Sequence, residues 1–323
     1  MKAAILHQYG TTPVYGDFPE PVSQNDNQVI IHLKAASVKN LDKGRASGRH
    51  YSGFSEFPAV VGVDGAGFLE DGSAVYALGI TGMIAERGLA KKENCVPVPA
   101  GLDMALAAAL PNMVLGAAMA LKFRAGMEPG KVVLINGATG VTGKIAVQLA
   151  KYYGASKVIA TGRNQEILET LPALGADRVI SLKQDDTAIL AELKEVHSVS
   201  PIDIVIDYLW GRPVELILTA LKGGGMHGYH HPAKVVTVGA MAGETINLPS
   251  GFLRSAPIEI CGSGFGSLSE DMLHKFHAEI LPEMYQLALD GRLKTDLVEF
   301  PLSQIQDAWH YEDKKGSRVV VMM

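Results

Sequence analysis

Residues 132–163 constrain the fold most strongly, because they carry a strand, a glycine turn, a helix and a second strand in direct succession. The run 132–135 is apolar and β-branched, and it is long enough for a buried strand of a parallel sheet. The segment 144–153 has apolar residues at helical spacing, and Gly154 stands where a helix C-cap would fall. A second apolar run follows at 157–161. This order predicts a βαβ unit.

The turn between the first strand and the helix is spaced by glycines. A turn without side chains lets backbone N–H groups approach a pyrophosphate, and the N-terminus of the following helix attracts the same anion. The flanking strand, helix and second strand supply the context that this motif requires. We predict a dinucleotide-binding turn, with a purely structural turn as the alternative. Its residues are Gly137, Ala138, Thr139, Gly140, Val141, Thr142 and Gly143.

The end of the second predicted strand indicates which dinucleotide is bound. An NAD-binding unit usually places an acidic residue there, which accepts hydrogen bonds from the ribose hydroxyls. This sequence has no acid at that position, but instead carries Thr161, Gly162, Arg163 and Asn164. A guanidinium can bind a 2′-phosphate in bidentate fashion, whereas a carboxylate would repel it. The sequence therefore favours NADPH over NADH, with a solvated arginine at a strand end as the alternative.

Composition limits the class of protein. Of 323 residues, 47% are hydrophobic and 20% are charged, which is typical of a globular chain with room for two domains. The net charge of −5 predicts no general attraction to nucleic acid. Two cysteines, Cys95 and Cys261, indicate a reducing compartment. We find no signal peptide and no apolar stretch approaching the length of a membrane helix, so we expect a cytoplasmic location.

The remainder of the chain divides by pattern. Before residue 104 it is mainly β, with strand-like runs at 29–36, 60–69 and 74–78. Residues 103–127 are alanine-rich and helical, and we expect Pro111 to break that helix early. From 132 to 238, five strand-like runs alternate with helical ones, which predicts an α/β, doubly wound parallel sheet. The tail predicts a helix at 273–289 and strands at 297–300 and 318–323.

The ordered set of motifs resembles the medium-chain dehydrogenase/reductase superfamily, and within it the zinc-less quinone oxidoreductase-like members. The resemblance rests on the motifs at 62–67, 108–112, 137–143, 174–177 and 203–207. It implies a GroES-like catalytic domain of residues 1–115 and 260–323 and a Rossmann NADPH-binding domain of residues 116–259. It also implies an active site in the cleft between the domains. A homodimer through the edge of the cofactor sheet is implied as well, with 235–238 and 248–252 as candidate contacts.

The departures from the zinc enzymes of this superfamily concern the metal. The resemblance matches Lys39, Val63 and Asn112 to the three positions that hold the catalytic zinc in those enzymes. These residue types do not make a zinc site, which requires thiolate, imidazole or carboxylate ligands. The four-cysteine lobe of the zinc enzymes is also missing, since only Cys95 lies near that region. We therefore expect no metal in this site.

Without zinc, another group must stabilise the oxyanion that hydride addition creates. Quinone reductase-like relatives often have asparagine at the position of Lys39. One hypothesis is that Lys39 acts as the electrostatic stabiliser or proton donor, with Asn40, Asp42 and Tyr51 as nearby polar groups. The alternative is that Lys39 and Asp42 form only a structural pair.

The resemblance implies further cofactor contacts. Asn112 is expected at the nicotinamide and Thr142 at the pyrophosphate. Other expected contacts are Val238, Gly239, Ala240, Phe265, Gly266 and Arg318, although Arg318 is equally well explained as a terminal-strand arginine. The histidine-rich segment 227–231 lacks nearby cysteine or acidic partners, so we interpret it as a surface loop.

Together these observations predict an NADPH-dependent, zinc-independent reductase that transfers hydride to a small electrophile, either a quinone or an α,β-unsaturated carbonyl compound. The sequence leaves two alternatives open. One is a metal-free carbonyl reductase or alcohol dehydrogenase. The other is a non-catalytic NADPH-binding protein, such as a redox sensor or a nucleic-acid-binding crystallin-like relative.

Overall fold

The structure is a computed structural model that describes residues 1–50, 52–222, 231–312 and 315–323. The chain forms two units: unit 1 comprises Met1–Asn112 and His277–Met323, and unit 2 comprises Met113–Phe276. The first division lies close to the expected boundary at 115/116. The second lies well beyond the expected boundary at 259/260.

The strands of the described residues are numbered in chain order. They are β1 (Lys2–Leu6), β2 (Val14–Asp17), β3 (Gln28–Ser37), β4 (Ala59–Val60), β5 (Asp64–Phe68), β6 (Ala74–Gly79), β7 (Arg87–Pro97), β8 (Val132–Asn136), β9 (Lys157–Gly162), β10 (Arg178–Ser181), β11 (Ile204–Asp207), β12 (Ala233–Thr237), β13 (Ile258–Gly262), β14 (Leu297–Pro301) and β15 (Arg318–Met322).

The α-helices are numbered in the same way. They are α1 (Asn40–Ala46), α2 (Met104–Val114), α3 (Val141–Tyr152), α4 (Gln165–Leu168), α5 (Asp186–Val199), α6 (Gly211–Leu221), α7 (Ser250–Ser255), α8 (Glu270–Lys275), α9 (Leu281–Leu289) and α10 (Ile305–His310). Wider π-helical turns at Leu115–Arg124 and Phe276–Ile280 continue α2 and α8, and 3₁₀ turns form at Leu171–Leu174, Phe265–Ser267 and Leu302–Gln304.

Unit 2 is built on a six-stranded parallel sheet with the order β10-β9-β8-β11-β12-β13. The order reverses beside β8, since the chain moves to β9 on one side and later returns to β11 on the other. Ligands of open α/β sheets bind at such a switch point, outside the carboxyl ends of the strands. The predicted doubly wound sheet is confirmed, with α3 and its neighbours packed on strands that are almost fully buried.

Two expectations about this sheet need correction. Five strands were expected, with the chain after 260 in the other domain, but β13 is a sixth strand and pairs with β12 in parallel register. Residues 235–238 were expected at the sheet edge. Strand β12, which carries most of them, lies between β11 and β13, so its backbone hydrogen bonds are already used within the sheet.

Unit 1 is mainly β, as expected. A three-stranded sheet has the order β2-β1-β4, and a larger sheet has the order β14-β15-β3-β5-β6-β7. Because β3 also pairs with β7, the strands β3, β5, β6 and β7 close on themselves as a small barrel. Gly67 permits this closure, since a Cβ there would lie 2.1 Å from the carbonyl oxygen of His32. The register of β3 against β5 shifts at that point.

The helix that begins at Met104 does not stop at Pro111, contrary to expectation. Proline has no N–H, so it cannot donate to the carbonyl four residues earlier, that of Ala107. The hydroxyl of Tyr285 donates to that carbonyl instead, at 2.8 Å, and Tyr285 is fully buried. The helix therefore continues through its π-helical turn to Arg124.

This helix also corrects the expectation that no segment matches a membrane span. Met104–Arg124 is the one helix among the described residues that is long and apolar enough to cross a membrane. Its apolar window is 72% buried inside the protein, as in the core helix of a folded domain.

Candidate active site

The glycine turn follows β8 at the carboxyl end of the parallel sheet. Gly137 adopts a φ of +89°, which L side chains rarely adopt, and the backbone N–H of Ala138 donates to the carbonyl of Thr161 at 2.8 Å. Gly140 is the N-cap residue of α3. The first backbone N–H groups of a helix have no acceptor within it. The backbone N–H groups at the start of α3 are therefore able to donate hydrogen bonds to an anion.

Two other glycines in this region are required by close packing. A Cβ on Gly143 would lie 2.4 Å from the carbonyl oxygen of Gly137. A Cβ on Gly162 would lie 2.3 Å from Cγ2 of Thr139. Gly140 differs, because the nearest atom to a Cβ there is 3.6 Å away. The turn is thus tightly packed on its protein side and open beside Gly140, as a pyrophosphate cradle requires.

A buried polar network, which was not predicted from the sequence, holds the turn in place. Asn136, at the end of β8, donates from Nδ2 to Oδ1 of Asp207 at 2.7 Å and accepts a 2.6 Å bond from the hydroxyl of Thr161. All three side chains are fully buried. Each comes from the carboxyl end of a different neighbouring strand, so the network ties the edges of β8, β9 and β11 together. The signal in the sequence is a polar residue that ends an otherwise apolar strand.

Asp207 also orders the chain that follows β11. Its carboxylate accepts hydrogen bonds from the backbone N–H groups of Leu209 and Trp210, and Trp210 has a φ of +55°. Burial raises the pKa of Asp207, and the hydrogen bonds that its carboxylate accepts oppose that rise. The unusual backbone at Trp210 is therefore held in place by Asp207.

The segment 161–164, which is predicted to distinguish NADPH from NADH, lies at the end of β9. Thr161 and Gly162 are buried and serve the network and the turn. Arg163 is exposed directly after β9, and in the described part of the chain its guanidinium forms no ion pair. Asn164 accepts a hydrogen bond from the N–H of Ile167 and so caps α4. Among these four residues, Arg163 is the exposed cation.

Further predicted cofactor residues lie at the same edge of unit 2. Val238 donates its backbone N–H to the carbonyl of Asp207 at 2.7 Å, which brings it beside the network. A Cβ on Gly239 would lie 2.9 Å from the carbonyl oxygen of Tyr208, so the chain passes very close to the end of β11 there. Ala240 follows and is exposed. The 3₁₀ turn Phe265–Ser267, which includes Gly266, follows β13.

Lys39 lies in unit 1 and is almost fully buried, with 1% of its surface exposed. Its ammonium group contacts Oδ1 of Asp64 at 2.6 Å, Oδ2 of Asp42 at 3.2 Å and the carbonyl of Ser37 at 2.8 Å. Burial alone would lower the pKa of Lys39, but the attraction of the two carboxylates outweighs it and raises the pKa. Lys39 is therefore a charged group at the centre of a buried cluster.

The two carboxylates of this cluster also accept hydrogen bonds from other groups of unit 1. Asp42 accepts the backbone N–H of Lys39 at 2.9 Å and that of Val63 at 3.0 Å, which joins the start of α1 to the segment before β5. Asp64 accepts a 3.0 Å hydrogen bond from the hydroxyl of Tyr76. Burial, and then the charge of Asp64, raises the pKa of Tyr76 well above its usual range.

This geometry supports the structural alternative for Lys39. An ammonium group has three donors, and here three contacts to unit 1 already use them. Asn40, the first residue of α1, is exposed. Tyr51 lies outside the described residues. The structure thus brings Lys39 and Asp42 together, but in a buried cluster whose charged groups contact one another.

Asn112 and Arg318 come together in unit 1. Nη2 of Arg318 donates to Oδ1 of Asn112 at 3.3 Å, and Nη1 donates to the carbonyl of Val38 at 3.5 Å. Arg318 is the first residue of β15 and is buried, whereas Asn112, in α2, is half-buried. Both residues were expected near the cofactor, but the contact between them was not predicted from the sequence.

No group of three or more His, Cys, Asp or Glu side chains in the described ranges is arranged to hold a metal ion. Of the histidine-rich segment 227–231, residues 227–230 lie outside those ranges. His231 Nε2 lies 3.1 Å from Oδ1 of Asp203 in unit 2.

Comparison with known proteins agrees with this architecture. Residues 141–280 match the family model described as zinc-binding dehydrogenase. The probable NADPH-dependent quinone reductase tdiC of Emericella nidulans is 28% identical, over the whole of both chains. The NADPH-dependent alkenal/one oxidoreductase of Arabidopsis thaliana chloroplasts is 32% identical, over 61% of this chain and 56% of its own.

A solved structure extends the similarity to the full fold. The quinone oxidoreductase of Thermus thermophilus, also solved as its complex with NADPH, is 26% identical, with a TM-score of 0.79 over the whole of both chains. The chain is thus similar over its whole length to quinone oxidoreductases, in sequence and in fold, and residues 141–280 match the zinc-binding dehydrogenase family.

Proposed function

We propose that this protein is an NADPH-dependent, zinc-independent reductase that transfers hydride to a quinone or to the β-carbon of an α,β-unsaturated carbonyl compound. The observation that carries the proposal is the open turn at the start of α3 together with exposed Arg163 at the end of β9. The first suits a pyrophosphate and the second suits a 2′-phosphate. The names of the relatives in Emericella and Arabidopsis support the same cofactor and acceptor classes.

The residues of unit 2 fit NADPH on structural grounds. The N–H groups at the start of α3 would bind the pyrophosphate, since the space beside Gly140 is open. Arg163 would bind the 2′-phosphate through its planar guanidinium. The buried Asn136–Asp207–Thr161 network would keep the turn in its binding geometry with or without the cofactor. Preorganisation of this kind lowers the entropic cost of binding.

Bound NADPH would supply a hydride, and the acceptor would take one further proton from solvent. The task left to the protein is to orient the acceptor and to stabilise the negative charge that develops on its oxygen. We propose that the protein does this without a metal, because Lys39, Val63 and Asn112 offer no zinc-ligand set and Lys39 already forms ion pairs with Asp42 and Asp64.

The test of the cofactor is a fluorescence titration of NADPH and NADH in the presence of a chelator, on the unmodified protein and on Arg163→Ala and Arg163→Asp. We expect both variants to weaken NADPH binding, by about tenfold or more, and to leave NADH binding unchanged, because a lost charge-assisted contact to phosphate costs roughly 1.5–3 kcal/mol. Arg254→Ala removes another exposed arginine of unit 2 and is the matched control.

The test of the reaction is turnover on a panel of quinones, enones and simple aldehydes and ketones. Oxidation of NADPH by quinones or enones, with the chelator present, would support the proposal. Turnover of simple carbonyl compounds alone would indicate a carbonyl reductase. NADPH binding without any turnover would indicate a non-catalytic binding protein, and no nucleotide binding would show that the glycine turn is only structural.

The homodimer implied by the resemblance also stays a proposal. With β12 inside the sheet, the edge strand on that side of unit 2 is β13, and we propose that a dimer would form through it. Light scattering that gives a monomer at micromolar concentration would contradict this.

A further inference from the structure

Thr139 occupies the space that a side chain at position 162 would fill. A Cβ on Gly162 would lie 2.3 Å from Cγ2 of Thr139, 2.8 Å from its Oγ1 and 3.0 Å from its Cβ. Gly162 is the last residue of β9, whereas Thr139 lies in the glycine turn between β8 and α3. The side chain of Thr139 therefore covers the end of β9, and both groups belong to unit 2.

Backbone hydrogen bonds hold Thr139 in this position. The N–H of Ala138 donates to the carbonyl of Thr161 in β9 at 2.8 Å, and the N–H of Gly140 donates to the carbonyl of Gly137 at 3.2 Å. The residues on both sides of Thr139 are thus bonded, one of them directly to β9. The contact between the turn and the end of β9 is part of the folded unit and does not require a ligand.

The hydroxyl of Thr139 is available to a ligand. Thr139 is half-buried, and within the described ranges its hydroxyl forms no hydrogen bond. Thr161, which also lies at this end of β9, differs, because it is fully buried and its hydroxyl donates to Asn136 at 2.6 Å. Of these two threonines, Thr139 is the one that can donate to a cofactor.

The end of β9 is the place of the adenosine ribose in a unit of this kind. The start of the first helix binds the pyrophosphate, and the group that contacts the ribose 2′ position usually comes from the end of the second strand. Here Gly162 ends that strand without a side chain, and the exposed cation Arg163 follows. Thr139 contacts Gly162 and stands just before α3, so it lies between the two binding positions.

We infer that Thr139 determines cofactor specificity together with Arg163, by donating a hydrogen bond from its hydroxyl to the 2′-phosphate of NADPH. This inference rests on the proposed function and deepens it. A threonine hydroxyl both donates and accepts, so it also fits the 2′-hydroxyl of NADH. The bond to a phosphate is charge-assisted and therefore stronger. Thr139 thus adds to the preference for NADPH that the charge of Arg163 creates.

The experiment compares Thr139→Val and Thr139→Ser in fluorescence titrations with NADPH and NADH. Valine keeps the methyl group that packs against Gly162 and lacks the hydroxyl, whereas serine keeps the hydroxyl and lacks the methyl group. We expect Thr139→Val to raise the Kd for NADPH about tenfold and that for NADH about threefold or less, because a hydrogen bond to a charged group contributes more than one to a neutral group.

Thr139→Ser is the conservative variant and should retain most of the preference for NADPH. Thr187→Val, which changes an exposed threonine of α5, is the matched control and should leave both Kd values unchanged. Thr139→Val should also keep the melting temperature of the unmodified protein. If Thr139→Val does not fold, Thr139→Ala removes the same hydroxyl and carries the test.

Two fragments of the cofactor separate the 2′-phosphate from the pyrophosphate. Adenosine 2′,5′-bisphosphate carries the 2′-phosphate without a pyrophosphate, and ADP carries the pyrophosphate without a 2′-phosphate. Displacement of bound NADPH measures the Kd of each fragment. Thr139→Val should weaken the bisphosphate about tenfold and leave ADP nearly unchanged. Equal weakening of both fragments, or of NADPH and NADH, would place the hydroxyl at the pyrophosphate and overturn the inference.

Arg163→Ala separates the inference from the proposed function. If Arg163→Ala weakens NADPH selectively and Thr139→Val does not, the inference is wrong and the proposed function stands. If the unmodified protein binds NADPH and NADH equally and Arg163→Ala changes neither Kd, the proposed choice of cofactor is wrong, and the inference is wrong with it.

Discussion

Tyr285 supplies the hydrogen-bond donor that Pro111 cannot, through its 2.8 Å bond to the carbonyl of Ala107. The two elements lie far apart in sequence, since Tyr285 is in α9 and Ala107 is in α2. The hydroxyl therefore allows an apolar helix to pass through a proline without leaving a buried carbonyl unpaired. The residue after that proline is Asn112, so the same contact stabilises the part of the helix that carries Asn112.

Tyr285→Phe should accordingly destabilise unit 1. It removes only the hydroxyl and leaves the Ala107 carbonyl without a donor, which costs about 1–3 kcal/mol. Urea unfolding at neutral pH measures the loss. Tyr15→Phe alters an exposed tyrosine of β2 and should change stability little. Equal stability of the two variants would contradict the role given to Tyr285.

Lys39→Met should destabilise the protein strongly, because it leaves the carboxylates of Asp42 and Asp64 buried without a countercharge. Removal of one partner of a buried ion pair costs roughly 3–5 kcal/mol. Thermal or urea unfolding checks this, with Lys34→Met, at an exposed position of β3, as control. A Lys39→Met protein of normal stability that has lost turnover would instead favour the catalytic hypothesis.

Gly143→Ala and Gly140→Ala should separate folding from cofactor binding. A Cβ at Gly143 meets backbone at 2.4 Å, so this variant should lose both stability and NADPH affinity. A Cβ at Gly140 has no neighbour closer than 3.6 Å, so this variant should keep its melting temperature and still bind NADPH more weakly, by about tenfold or more. Normal NADPH affinity in Gly140→Ala would argue against a pyrophosphate at the turn.

His197 should make stability depend on pH. Burial, and then the charge of His231, lowers the pKa of His197 from 6.5, and its Nδ1 accepts a hydrogen bond from the N–H of Ile202. A depressed pKa means that the stabilisation is present above pH 6.5 and is lost as the pH falls through the lowered pKa of the folded state. Melting temperatures between pH 7 and pH 5 should therefore fall less in His197→Asn than in the unmodified protein.

The control for that experiment is His7→Asn, which changes an exposed histidine of unit 1. It should show the same pH dependence as the unmodified protein. If His197→Asn also shows that dependence, another group is responsible.

Periodicity and capping residues in the sequence predicted the structural features that depend on residues close together in the chain. The glycine turn, α3 and β9 lie where their periodicity and caps indicated, and helix α3 begins at Val141, slightly earlier than its apolar spacing suggested. Such features depend on residues a few positions apart, and a single sequence displays them directly.

Other features depend on distant residues and were not visible in the sequence. Pro111 predicts a helix end unless Tyr285, 178 residues from Ala107, is known to supply a donor. Strand β13 is identified by its parallel pairing with β12, a contact that a single sequence does not display. The sequence suggested Asp42 as a structural partner of Lys39, but it gave no indication of the contact with Asp64, 25 residues further on.

The Lys39 cluster obtains its countercharge from the chain itself and not from a bound metal ion. A metal ion held by carboxylates is lost to dilution and to chelators, and its occupancy follows the metal content of the surroundings. The cation that pairs with Asp42 and Asp64 is joined to the chain by covalent bonds, so every folded molecule carries it in a ratio of one to one. The countercharge of this cluster is therefore present in each copy without delivery of a metal ion.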